Sequence, residues 1–222
     1  METKSETQSR AARPSARERL LAAADELFYE EGVHTVGIDR VIEQAGVAKA
    51  SLYNTFGSKE ALIHAYLEGR HARTAARITR HIERYDTPRE RLLAVFEAQG
   101  EIFAEPRFRG CAFVRASAEA HSGDQVEQAA EAYRAWVRGL LTDLAEQAAV
   151  PDPVGLARQL HMIYDGGAVS ALMDHDAATA AFSRASAATL VDAALRQIRS
   201  PEQVDQTELV DQSEQINEQI KQ

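Results

Sequence analysis

Apolar residues recur three and four positions apart along almost the whole 222-residue chain. That is the period of helices with one buried face. Leu20, Leu21, Ala24, Leu27 and Phe28 form one such stripe. Ser15 and Glu18 predict a capping box at its start, and Gly32 predicts its end. A short helix is expected over about 38–45, with Gly37 as its N-cap, Val41 and Ile42 facing inward and Gly46 at its end. A second short helix, about 48–55, is stopped by Gly57. Ser58 caps a long helix reaching about Arg84, with Glu60 in the first turn, where the helix dipole favours an acid. Further helices are predicted at about 88–104, 110–120, 124–148, 154–173 and 177–199. The breaks between them are Glu105-Pro106, Ser122-Gly123, Pro151-Asp152-Pro153 and Asp174-His175-Asp176. No alternating β-branched run is present, so the fold class is all-α.

The polar residues 1–14, ending in Pro14, read as a flexible N-terminal arm carrying Arg10 and Arg13. The Gln- and Glu-rich tail 200–222 reads as disordered or as a frayed helix. At 45% hydrophobic and 27% charged residues, the chain suits one large or two small domains. The N-terminus lacks the apolar core of a secretory signal. No run approaches the roughly 18 apolar residues of a membrane span. A cytoplasmic location with no membrane partner is expected. The single cysteine, Cys111, excludes an intramolecular disulfide and a cysteine-cluster metal site. No cofactor or metal is called for. The net charge of −9 argues against nucleic acid. Residues 37–80, however, hold seven basic side chains against four acidic ones, which is compatible with a local DNA contact on an acidic body.

Two short helices joined by a Gly-containing turn, about 37–56, form a helix-turn-helix pattern. In such a unit the second helix enters the major groove. Leu52 and Phe56, four apart, would anchor that helix to its own domain. Lys49, Ser51, Tyr53, Asn54 and Thr55 are left on other faces. Asn and Thr can bond base edges and Lys can reach guanine or phosphate, while Tyr and Ser hydroxyls suit phosphate. Ala48 and Ala50 permit close approach, and Ala50 could touch a thymine methyl.

Residues 16–62, ARERLLAAADELFYEEGVHTVGIDRVIEQAGVAKASLYNTFGSKEAL, resemble the N-terminal domain of the TetR family of bacterial transcriptional regulators. Ala-Gly-Val at 45–47, Leu-Tyr-x-x-Phe at 52–56 and Ser-Lys-Glu-Ala-Leu at 58–62 carry the resemblance most specifically. It implies an N-terminal three-helix DNA-binding domain, residues 15–62, and a larger helical effector-binding and dimerisation domain, residues 63–199. By the same resemblance Tyr53 and Lys59 hold DNA phosphates. Lys49, Ala50, Ser51, Asn54 and Thr55 read bases or adjacent phosphates. The family often opens its first short helix with Thr and a basic residue, where this chain has Gly37-Ile38-Asp39-Arg40. The phosphate contact there passes to Arg40. The common Ser and Gly at 48 and 50 are both Ala.

The resemblance also implies a small-molecule pocket between the C-terminal helices. Phe96, Phe103, Phe113, Trp136, Met162 and Tyr164 are its candidate lining, as large side chains suit an apolar cavity; ordinary core packing is the alternative for each. Cys111 is either a redox or electrophile sensor in that pocket or a buried small hydrophobe. His161 and Asp165, four apart, either bond a polar ligand or satisfy each other. The helices at about 154–173 and 177–199 are rich in small residues and would pair with a second copy. The function expected is a homodimeric repressor released from a palindromic DNA operator by a small-molecule effector. An enzyme is disfavoured: neither G-x-S-x-G, H-E-x-x-H nor a Walker motif occurs. A protein-interaction module that has lost DNA binding is the other rival.

Overall fold

The computed structural model describes residues 14–119 and 124–199. Among them lie nine helices and no strand: α1 (Ala16–Glu31), α2 (Ile38–Ala45), α3 (Lys49–Phe56), α4 (Lys59–Ile82), α5 (Pro88–Phe103), α6 (Ala112–Glu119), α7 (Gln125–Gln147), α8 (Pro153–Asp174) and α9 (Thr179–Arg199). Each predicted helix is present, with ends shifted by at most about two residues. The arm with Arg10 and Arg13 and the tail 200–222 lie outside the described residues.

The boundaries follow from local chemistry. The Ser15 side chain accepts from the Glu18 N–H at 3.2 Å, and the Glu18 carboxylate accepts from the Ser15 N–H at 2.7 Å. That is the reciprocal capping box. Gly46 ends α2 in the left-handed conformation, φ 60°, which glycine adopts without a side-chain clash. Ser58 starts α4 by accepting from Ala61 N–H at 3.1 Å. Thr87, with Pro88 in the first turn, starts α5 in the same way.

α1, α2 and α3 share one core. Leu20, Ala24, Leu27 and Phe28 of α1 are buried with Val41 of α2, Leu52 of α3 and Leu62 and Tyr66 of α4. Leu21 and Ile42 are only partly buried at its edge. Arg19 of α1 donates to the Ala45 and Gly46 carbonyls at 3.1 and 2.8 Å. It thus satisfies the C-terminal carbonyls of α2 and fixes that helix on α1. α4 runs on for 24 residues and packs against α5 and α7. The same core continues between α5, α7, α8 and α9 around Phe96, Val137, Leu141, Leu160 and Val191. No helix among the described residues is long and apolar enough to cross a membrane.

Candidate nucleic-acid interface and adjoining cavity

α3 is short and owes its position to packing rather than propensity. Leu52 is fully buried, and Phe56 packs at the core edge with the Arg17 guanidinium 5.7 Å from its ring centroid. Lys49, Ala50, Tyr53, Asn54 and Thr55 are exposed on the outer face, and Ser51 and Lys59 are partly exposed beside them. Tyr53 has 45% of its surface free, large for an aromatic with no packing task. The Thr55 hydroxyl donates to the Ser51 carbonyl at 2.6 Å, so it meets an outside group only as an acceptor.

Two cations on this face have internal partners. Lys49 Nζ donates to Asp39 at 3.0 Å, and Arg40 forks onto Glu31 at 2.5 and 2.8 Å. Each bond raises the pKa of its cation. All four side chains reach solvent, so a phosphate can compete for either cation.

Where α1 meets α4 to α8 lies a cavity of about 420 Å³. Its mouth is charged. Arg70 and Arg73 of α4 both donate to Asp25 of α1 at 2.8 and 2.5 Å. Arg77 donates to Glu105 at 2.6 Å, and Arg107 pairs with Glu26 and Glu30. Its floor is aromatic. Phe113 stacks on Tyr133 with centroids 3.8 Å apart, and Phe103 tilts against Phe108 at 5.1 Å. The Tyr133 and Tyr164 hydroxyls meet at 3.1 Å. Burial pushes both phenols up, so both keep their protons.

Of the residues proposed as pocket lining, Phe103, Cys111, Phe113 and Tyr164 line this cavity, and five do not. Phe96 is fully buried behind Tyr164, its ring edge-on at 6.3 Å. Trp136 lies on the far side of Tyr133, against His71 at 4.9 Å. Met162 is 75% exposed on the outside of α8. His161 and Asp165 are 3.7 Å apart, too far for a hydrogen bond; Asp165 accepts from Arg134 at 2.6 Å, the buried His161 Nε2 has no hydrogen-bond partner among the described residues, and neither residue lines the cavity. Burial lowers the His161 pKa. Burial raises the Cys111 pKa, which keeps the sulfur a neutral thiol and weakens its case as a reactive sensor.

Sequence reasoning passed over Gln99, Tyr29 and the arginines. Arg70, Arg73 and Arg77 recur at three and four along one face of α4, and Gln99 interrupts the apolar face Leu92-Val95-Phe96-Phe103 of α5. Both signals are visible in the chain. Tyr29 ties α1 to the loop that precedes α6. Its hydroxyl donates to the Gly110 carbonyl and accepts from the Arg109 N–H, each at 3.0 Å.

A buried-core three-helix unit that presents one short polar helix outward has the arrangement of a helix-turn-helix unit. Residues 20–66 match the family described as bacterial regulatory proteins, tetR family. A TetR-family transcriptional regulator from Streptomyces coelicolor superposes with a TM-score of 0.71 at 34% identity, covering 82% of this chain and 95% of that one. The chain belongs to the TetR family. The activator FasR of Mycolicibacterium smegmatis is 40% identical over 91 residues, 40% of this chain and 41% of FasR. The repressor NemR of Escherichia coli K12 is 33% identical over 105 residues, 46% of this chain and 53% of NemR. The chain thus spans about half the length of the curated relatives it matches. Members of the family, such as the Streptomyces coelicolor protein, are transcriptional regulators.

Proposed function

We propose that the chain is a cytoplasmic homodimeric repressor that grips a palindromic operator through α3 and leaves it when a small molecule fills the cavity. The observation that carries the reading is the division of α3. Leu52 is locked in the core while Lys49, Tyr53 and Asn54 stand outward. Arg40, Lys49, Tyr53 and Lys59 hold phosphates, and Ala50, Ser51, Asn54 and Thr55 meet base edges or nearby phosphates. Residues 15–62 form the DNA-binding domain and 63–199 the effector and dimer domain.

The dimer is supported by what α8 and α9 leave uncovered. Met162 and Met173 of α8 are 75% and 73% exposed and Phe182 of α9 is 71% exposed. Val154 and Val169 lie on the same side of α8, and Ala185, Ser186 and Thr189 continue the exposed face of α9. Large apolar groups clustered on one face mark an interaction surface. A twofold pairing there sets two α3 helices about 34 Å apart, one turn of DNA. The effector acts by binding the DNA-free state more tightly, with a coupling on the order of 1–3 kcal/mol. A second reading, activation, is favoured by the likeness to FasR, and it uses the same interface.

DNase footprinting of the DNA upstream of its own gene, run beside light scattering of the free protein, tests the proposal. It predicts a symmetric protected site and a dimer mass. Absence of any protected site, or a monomer mass, overturns it.

A further inference from the structure

Resting on the reading that α3 holds DNA, we propose that Arg17 of α1 is a further phosphate contact, and that the DNA backbone crosses the C-terminal end of α3 between Arg17 and Lys59. Arg17 is exposed in the first turn of α1. Its guanidinium stands 5.7 Å from the ring centroid of Phe56, the last residue of α3. A ring face attracts a guanidinium and helps to order it, and the N–H groups at its rim stay free for a phosphate. Tyr53 lies three residues before Phe56, on neighbouring helix surface, and is 45% exposed. Lys59 follows three residues after Phe56, at the start of α4. Between them Gly57 is exposed, and a side-chain carbon placed there would meet no atom within 4 Å. A nucleic-acid backbone therefore has room to approach this turn closely.

The ion pairs set this end of α3 apart. Lys49 is held by Asp39, and Arg40 by Glu31. A phosphate that takes either cation must displace an acid. Arg17 and Lys59 form no ion pair among the described residues. Glu18, next to Arg17 in the chain, is committed elsewhere: its carboxylate accepts from the Ser15 N–H at 2.7 Å and from the Ser15 hydroxyl at 2.8 Å. Of Lys49, Arg40, Arg17 and Lys59, only the last two meet a phosphate without breaking a pair. Their charge is uncompensated, and it sits beside the exposed Tyr53 hydroxyl, itself a phosphate donor by type.

Fluorescence anisotropy of the full chain at several salt concentrations tests this, on the DNA upstream of its own gene and on a duplex of shuffled sequence. Each phosphate contact contributes about 0.9 to the slope of log affinity against log salt. Arg17→Gln, its fold checked by circular dichroism, should flatten that slope by about 0.9 for each bound protomer. Near physiological salt it should weaken binding by roughly eightfold per protomer, the same counterion release expressed as affinity. The loss should be alike on both duplexes, because a phosphate contact carries no base information. Arg17→Lys keeps the charge and should keep the wild-type slope. A wild-type slope in Arg17→Gln overturns the proposal. So does a loss confined to the upstream duplex, or an Arg17→Lys variant that loses as much slope as Arg17→Gln. A slope that falls in Lys49→Ala but not in Arg17→Gln removes Arg17 and leaves the reading of α3 standing. Wild-type protein that binds neither duplex removes both.

Discussion

Replacing Tyr29 by Phe removes one oxygen atom and tests how firmly α1 is held to the loop at Arg109-Gly110. The ring keeps its place under the Arg70 guanidinium, 3.7 Å from the centroid. What is lost is a hydroxyl that donates to the Gly110 carbonyl and accepts from the Arg109 N–H, both at 3.0 Å. Each such bond contributes a net stabilisation of about 0.5–1.5 kcal/mol. Arg109 is exposed and its N–H can turn to water, but Gly110 is buried and its carbonyl is left without this donor. The expected loss is therefore about 2 kcal/mol, within a range of roughly 1–3. For a chain of this size that lowers the melting temperature by about 4–8 °C. Thermal and urea unfolding at one fixed protein concentration measure it, since the proposed dimerisation would make stability depend on concentration. A loss below about 0.5 kcal/mol would refute the claim that this hydroxyl clamps α1 to the loop before α6.

Leu52→Ala should cost about 2–5 kcal/mol, because the residue is fully buried beneath α3; urea denaturation reports it, and a cost under 1 contradicts the anchoring role. Asp39→Asn frees Lys49 from its 3.0 Å partner, so operator affinity should rise at low salt; unchanged or weaker binding in an anisotropy titration counts against competition between Asp39 and phosphate. Phe182→Asp puts a charge on the uncovered face of α9 and should convert the dimer to monomer by light scattering; a persistent dimer places the interface elsewhere. Glu101 accepts from His81 and Arg80, which hold its carboxyl down at about 2. The stability it contributes is complete above the unfolded carboxylate value near 4.3 and is lost as pH falls through about 2. Glu101→Gln should flatten the stability curve in that window, and an unchanged curve would exclude this ion cluster as its cause.

The helices were legible because their signals are local. Ser15 with Glu18, Gly46, Gly57 and Ser58 act within a turn of themselves, and the apolar period marks the buried faces. The polar face of α3 was legible for the same reason: once Leu52 is assigned to the core, helical geometry dictates which neighbours point away. The cavity was not, because it depends on which of several large apolar residues pack and which stand at a gap. Phe96 and Phe103 share α5, yet one is sealed in the core and the other borders open space. Met162 reads as a core residue by type, but its position on α8 turns it outward. The polar determinants were missed for a related reason. Gln99 and Tyr29 acquire their meaning only from partners 65 and 81 residues away.

The central claim is that α3 holds DNA. Fluorescence anisotropy of a labelled duplex from the DNA upstream of its own gene, titrated with protein at several salt concentrations, tests it most directly. Wild-type affinity should fall steeply as salt rises. Lys49→Ala should reduce the slope of log affinity against log salt by about 0.9, the share of one phosphate. The Lys49→Ala, Tyr53→Ala double variant should abolish the specific complex while keeping the wild-type circular dichroism. Binding by the double variant with wild-type affinity and slope would contradict the account.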